Sequence, residues 1–327
     1  KLGEQGRRAD EAELAGHNTV HNCLIAHGGR MHPAGIGVWI GASPHNTVSH
    51  NDIYDFYYTG ISIGWSWGYA PTQSHHNTLE WNHIHTIGRG VLSDMGGTYT
   101  LGLAPGTVQR YNHIHDIESF SYGGWGIYFD EGTTGMLAEN NVVYRTNKQG
   151  FHQHYGRENV VRNNIFAFGR ESQLARTRAE EHLSFTFEGN IVYWGEGPLL
   201  GSNWSGNNYK LDRNLYWNTA GEPIQPAGLT WEKWREKGQD VNSVIADPLF
   251  VDPERGDFRL KPGSPAAKIG FQPIDIRGAG RLPGSPAAPP MPPRAFPPPP
   301  PPPPPTPVAE DCEETPVGDK VAGAQTY

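Results

Sequence analysis

Cysteine and helical periodicity are both nearly absent from this chain. Two cysteines, Cys23 and Cys312, in 327 residues exclude a disulfide framework and a cysteine-based zinc site. Cys23 reads as a small inert core residue. No apolar run approaches the roughly 18 residues of a membrane-spanning helix. Cations are outnumbered, 26 Lys and Arg against 34 Asp and Glu for a net charge of −8. That excludes a basic surface for nucleic acid or an anionic membrane. Helical patterning is confined to residues 229–237, where Thr230 is placed to cap a short helix carrying Trp231 and Trp234. Turn formers and rings are plentiful instead: 41 Gly, 29 Pro, 14 Tyr, 10 Trp and 15 His. In so polar a chain, rings and imidazoles suit sugar binding as well as core filling.

An asparagine followed two residues later by an apolar residue recurs at Asn22, Asn51, Asn82, Asn112, Asn140, Asn163, Asn190 and Asn214, with gaps of 23 to 31 residues. The fuller pattern is apolar-x-x-Asn-x-apolar, as in Val48-x-x-Asn51-x-Ile53. A period in this range means a stacked repeat. Short alternating runs broken by Gly, Asn or Asp read as brief strands. The leucine-rich pattern is missing, and a propeller blade needs about 40 residues or more. The fold class predicted is therefore all-β, a right-handed parallel β-helix, with equivalent positions of successive coils about 4.8 Å apart. The asparagines belong at turns, bonding from coil to coil. Residues 1–13 are expected to fray, and 14–277 to form the solenoid. Residues 247–274 are expected to be a capping segment over the last rung. Residues 278–327, with Pro297 to Pro305 unbroken, read as a disordered Pro-rich tail. The chain starts at Lys1 and reads as a fragment or mature form, with extracellular or periplasmic localisation expected and a monomer as its state.

Four copies of the second run align on a glycine: Gly60-Ile-Ser-Ile-Gly64, Gly90-Val-Leu-Ser-Asp94, Gly126-Ile-Tyr-Phe-Asp130 and Gly150-Phe-His-Gln-His154. Strand alternation turns the second and fourth residues after each glycine outward. The outward column then reads Gly64, Asp94, Asp130 and His154, with Tyr128 and His152 beside it and Glu131 at a strand end. A single outward aspartate is ordinarily solvated, but like charges on adjacent rungs destabilise a sheet, so a pair invites a functional reading. Stacked carboxylates raise one pKa, which lets an acid and a carboxylate coexist near neutral pH. Glycoside hydrolysis requires such a pair. Asp130 or Glu131 would protonate the leaving oxygen and Asp94 would be nucleophile or base. Trp65, Tyr99, Trp125, Tyr128, His152 and His154 are the candidate substrate contacts. His152-x-His154 could bind a metal with Asp130, but outward histidines beside carboxylates more often hydrogen-bond to ligand or protein; no metal and no cofactor are expected.

At these residues the chain resembles glycoside hydrolase family 141. The likeness covers about residues 14–275. It is carried by Leu92-Ser-Asp-Met-Gly-Gly97, Gly123-Gly-Trp-Gly-Ile-Tyr-Phe-Asp-Glu-Gly132, Gly150-Phe-His-Gln-His-Tyr-Gly156 and Asn163-Asn-Ile-Phe-Ala167. The resemblance implies a right-handed parallel β-helix, α-L-fucosidase or xylanase activity on complex plant polysaccharides, and Asp94 with Asp130 as the catalytic pair. It also implies further coils and a β-sandwich upstream, which this sequence does not include. Two other functions fit the same fold. A polysaccharide lyase or epimerase would need Ca²⁺ or Arg/Lys against a uronate, and the outward column has neither Lys nor Arg. A non-catalytic glycan-binding β-helix would show no perturbed carboxylate pair and an open stripe of aromatics.

Overall fold

The computed structural model describes residues 1–3 and 15–291. Each coil visits three parallel sheets in turn. Among the described residues the first sheet has eight strands, from Thr19–His21 to Lys210–Asp212. The second has nine, from Leu24–Ala26 to Val244–Ile245. The third has seven, from Val38–Ile40 to Leu200–Ser202. This is the predicted parallel β-solenoid. No helix of the described residues is long and apolar enough to cross a membrane.

The strands of the three sheets are two to six residues long because one or two inward side chains per sheet suffice to fill the coil. In the first sheet Val48, Leu79, Gln109, Ala138, Val161, Phe187 and Leu211 stack in register. In the second, Ile53, Ile84, Ile114, Val143, Phe166, Val192 and Tyr216 do so. All are buried in the core. Each large apolar member contributes about 1.5–3 kcal/mol relative to exposure. The short helix Trp231–Glu236 is capped by Thr230, whose hydroxyl accepts from the Lys233 amide.

The asparagine column differs from the predicted one by a residue in three coils. The buried ladder runs Asn51, Asn82, Asn112, Asn141, Asn164, Asn190, Asn214. Asn140 and Asn163 lie one position earlier, where the backbone is left-handed, in the same place as His50, Trp81 and Tyr111. Adjacent asparagine pairs satisfied the sequence pattern at either member, and only the second turns inward. Asn22 also sits at the left-handed position. Cys23 occupies the ladder position beside it, donating its amide to Asn51 Oδ1 at 2.9 Å, and is half-buried rather than in the core. A left-handed Trp or Tyr is strained, and the ladder's bonds hold it. A second column went unread: Asn18, Asn46, Asn77 and Thr107 are linked in the same way at the start of the first sheet.

Residues 247–285 form a strap rather than an end cover. Phe250, Phe258, Ile269 and Phe271 pack on the outer face of the second sheet, against Val142, Ile165, Ile191 and Leu215. The strap then runs back toward the first coils. Asn163 bonds Gln272, Asp52 pairs with Arg281 at 3.0 Å, and Asn22 caps Leu282 and Ser285. The final rung is closed by the segment before it. Trp234 stacks on Tyr209, and Val244–Ile245 adds a strand beside Leu215–Asn218. Residues 278–285, predicted to be tail, are therefore seated on the solenoid. The tail from 292 onward, Cys312 with it, residues 4–13 of the predicted frayed segment and Leu14 lie outside the described residues. Leu2 pairs with Ile40 beside the third sheet.

Candidate functional site

A column of glycines sets the register of the third sheet. Gly60, Gly97, Gly126 and Gly150 stand where the chain enters it, and none has room for a Cβ. At Gly97 one would lie 2.4 Å from Ile114 Cγ2, and at Gly126 it would lie 2.2 Å from Val143 Cγ1. The sequence alignment took Gly90 for this column, and the structure corrects it. Gly90 lies in a loop with left-handed backbone, and the strand is Gly96–Leu101. Ser62, Tyr99, Tyr128 and His152 therefore share one outward column, Gly64 pairs with Leu101, and Asp94 is not on the strand.

Asp94 reaches the same face by another route. It ends the loop 88–95, is left-handed at φ 51°, and donates its amide to the Tyr122 carbonyl at 3.0 Å. Gly123 packs so closely on this turn that a Cβ would lie 2.7 Å from the Asp94 nitrogen. The phenols of Tyr122 and Tyr128 lie close enough to the Asp94 carboxyl to draw its pKa down. Tyr128 Oη donates to Asp130 Oδ1 at 2.7 Å, and Tyr99 Oη donates to Asp130 Oδ2 at 2.6 Å. The single phenolic proton of Tyr128 goes to Asp130, and the Asp94 carboxyl lies beside the same side chain. Burial, and then the charge of Asp130, push the Asp94 carboxyl up to about 6, against the pull of the two phenols. Burial and both aspartates push Tyr99 and Tyr128 well above the usual phenol range, so they stay donors. Glu131 turns to the side, where Tyr155 Oη donates to its Oε2 at 3.0 Å.

The predicted sugar contacts have a different place from the one expected. Tyr99, Trp125, Tyr128 and His152 are each less than a tenth exposed. Tyr128 lies between Tyr99 at 4.6 Å and His152 at 4.9 Å, and Trp125 covers it at 4.1 Å. Their faces are taken by one another, and they form the floor beneath the carboxylates. The loops 88–95 and 118–124 bond to each other, Gly90 to Glu118, Phe120 to Leu92 and Asp94 to Tyr122, and Tyr122 meets Trp125 edge-on at 6.4 Å. Trp65 is half-buried and donates to Ser62 Oγ at 2.8 Å. The open rings are Trp67, Phe120 and Tyr122, each more than half exposed, which lie on loops that strand alternation cannot place. His152 and His154 share the Thr177 hydroxyl, at 3.2 and 2.7 Å. Burial, and then His154, hold His152 low, at about 3. Beyond Glu131 a second group went unread. Tyr69 Oη bonds Glu180 and lies 3.1 Å from His182, and Arg178 stacks over Tyr155 at 4.1 Å.

The groups of three metal-capable side chains among the described residues lie away from this site: His45, His75 and His76, and His83, His113 and His115. The second follows a motif visible in the sequence, Asn82-His-Ile-His85 and Asn112-His-Ile-His115.

No family model matches the chain, and no curated protein matches it. Among solved structures, one described as a glycoside hydrolase has 22% identity over 60% of this chain and 28% of its own, with a TM-score of 0.40. XylC in complex with xylose has 14% identity over 65% of this chain and 39% of its own, with a TM-score of 0.41. The chain spans well under half the length of either.

The raised pKa of Asp94 has a consequence for stability. An ordinary aspartate is 3.8, so the folded state holds this proton more tightly than the unfolded chain. The cost of charging Asp94 is absent below about pH 4 and fully present above about pH 6. Asp94→Asn removes that cost. Discounted for solvent screening, the gain near pH 8 is about 1 kcal/mol, or about 2–4 °C in Tm. Thermal melts near pH 8 and pH 4 should show the variant's advantage at the first and not at the second. An equal advantage at both would show that Asp94 is not perturbed.

Proposed function

We propose that the chain is a glycoside hydrolase of the kind its resemblance to family 141 implies, acting on plant or bacterial polysaccharide outside the cytoplasm as a monomer. The observation that carries this reading is the contrast between two neighbouring carboxyl groups: Asp94, raised by burial and by the charge of Asp130, and Asp130, which accepts from the phenols of Tyr99 and Tyr128. Two carboxyl groups in contrasting environments are the arrangement glycoside hydrolysis uses. The electrostatics favour a division of labour opposite to the one expected from register. Asp94, raised to about 6, is the general acid that protonates the glycosidic oxygen. Asp130 accepts from two phenols that remain protonated, which suits an ionised carboxylate acting as nucleophile or base. Glu131 and the group around Tyr69, Glu180, His182 and Arg178 border the site and contact flanking sugars. Trp67, Phe120 and Tyr122 supply the exposed rings.

The test is release of reducing ends from fucosylated and xylan-type glycans. Because the acid must be protonated in the free enzyme, kcat/KM should hold below about pH 6 and fall about tenfold per pH unit above it. Products bearing an unsaturated ring would replace this reading with a lyase. Glycan binding without cleavage would replace it with a binding module.

A further inference from the structure

On the outer face of the second sheet, two copies of His-Ile-His lie side by side. His83 pairs with His113 and His85 with His115 across adjacent strands. Ile84 and Ile114 point into the core, so the four imidazoles form a square on the outside. Stacking explains part of the square. His83 lies 4.7 Å from His113 with planes 11° apart, and His85 lies 5.2 Å from His115 at 9°. Tyr54 and Tyr144 continue the stack on either side.

Stacking does not explain the diagonal. Nε2 of His83 and Nε2 of His115 face each other at 2.8 Å. The other nitrogen of each ring faces a carboxylate. His115 Nδ1 is 2.6 Å from Asp116 Oδ2, and His83 Nδ1 is 3.5 Å from Asp52 Oδ1. A neutral imidazole beside a carboxylate keeps its proton on the nitrogen that faces it. Both rings then carry Nδ1–H, and two Nε2 lone pairs point at each other. That arrangement is repulsive unless a positive charge lies between them. A carboxylate behind a histidine, fixing the tautomer and aiming the distal nitrogen, is the usual support of a metal ligand. His113 brings a third nitrogen, and the three ligand atoms lie within 4.8 Å of one another. Three imidazoles suit zinc or a neighbouring divalent transition metal, not calcium or magnesium. Zn–N bonds of about 2.0–2.1 Å place tetrahedral ligand atoms about 3.3 Å apart, so the diagonal pair needs to open by only about half an ångström. His113 borders a cavity lined by Val142, Phe258 and Ile274, which offers an entry path.

We propose that His83, His113 and His115 bind one zinc-class divalent ion, with Asp52 and Asp116 behind the ligands, pinning two successive coils together beside the strap. Arg281, which pairs with Asp52 at 3.0 Å, connects the strap to the same carboxylate.

The test uses the whole chain, stripped with a chelator and titrated with Zn²⁺ by calorimetry and with Co²⁺ by visible absorption. One equivalent should bind with a dissociation constant of about a micromolar or tighter, with the strong visible bands of tetrahedral cobalt, and Tm should rise with free metal. His115→Phe keeps a ring in the stack and removes the donor nitrogen, so it should lose this equivalent and the Tm response while remaining folded. Asp116→Asn should weaken binding about tenfold or more. His85→Phe, in the same square but outside the trio, and His76→Phe, in the other histidine group, should leave this equivalent in place. Absence of any bound equivalent overturns the proposal. So does an equivalent that survives His115→Phe or is lost in His76→Phe.

Discussion

Asp130→Asn is expected to lower kcat/KM on a glycan substrate by at least about a thousandfold, with the fold intact. Both carboxylate oxygens accept from phenols, and an amide of the same shape keeps one acceptor while the phenol opposite its nitrogen rotates to accept. The loss is therefore chemical rather than structural. Asp94→Asn is expected to differ in kind. If Asp94 supplies a proton to the leaving oxygen, its loss should be severe on natural glycans and slight on aryl glycosides, whose leaving groups depart without protonation. The pair of variants and the pair of substrates together identify the roles. Full activity of Asp130→Asn on both substrates would remove the paired mechanism. Sparing of Asp130→Asn on aryl glycosides, with Asp94→Asn dead on both, would exchange the two residues.

The second large effect concerns stability and two adjacent asparagines. Asn141 is fully buried in the ladder. Its Oδ1 accepts from the Asn112 amide at 3.0 Å and side chain at 2.9 Å, and its Nδ2 donates to the Gln109 carbonyl at 3.0 Å and Asn164 Oδ1 at 2.9 Å. Asn141→Ala leaves a buried amide and a buried carbonyl without partners and opens a small void. Unmet buried groups cost about 1–3 kcal/mol each, so a loss of about 3–5 kcal/mol is expected, large enough to be diagnostic. Asn140 is half-buried, left-handed at φ 57°, and its Oδ1 accepts one bond, from Asn163. Asn140→Gly relieves the backbone while giving up that bond, and should cost less than about 1 kcal/mol. Urea unfolding of the two variants decides between them. Equal losses would show that the ladder does not discriminate the neighbours.

The solenoid was legible because its period is written in side chains that have one job. Buried asparagines at coil-to-coil turns have no substitute that both donates and accepts in the same place, so they recur. The register of the third sheet was not legible, and the reason is Thr98. Its hydroxyl donates to Gln109 Oε1 at 2.9 Å inside the coil, so an inward position and the first-sheet residue facing it are both polar. The strand Gly96–Leu101 therefore lacked the apolar alternation that Gly90-Val-Leu imitates. The two aspartates were found nonetheless, because the motif that drew attention to Asp94 is the loop that delivers it. The burial of Tyr128 and Trp125 was hidden for a different reason. Tyr128 is covered by Tyr99 and His152 of the neighbouring coils, and no periodicity within a coil reports cover supplied by another. The histidine square was open to inspection, since the two Asn-His-Ile-His copies are one coil apart. Nothing in that pattern distinguishes a ligand cluster from rings that merely stack between strands, because the carboxylates behind the imidazoles, Asp52 and Asp116, come from different coils.

The asparagine ladder also has a direction. In the bonds between its members, each asparagine from Asn51 to Asn190 donates from Nδ2 to the Oδ1 of the next, higher-numbered coil, while its second N–H goes back to a backbone carbonyl of the coil before. The series stops at Asp240, which takes the last donor, Asn214 Nδ2, at 3.2 Å, and also accepts from Tyr216, Trp234 and Ser243. A carboxylate has acceptors and no donor to pass on. The polar series therefore ends inside the protein, on a buried acid that accepts from four side chains and passes no donor on to a further coil.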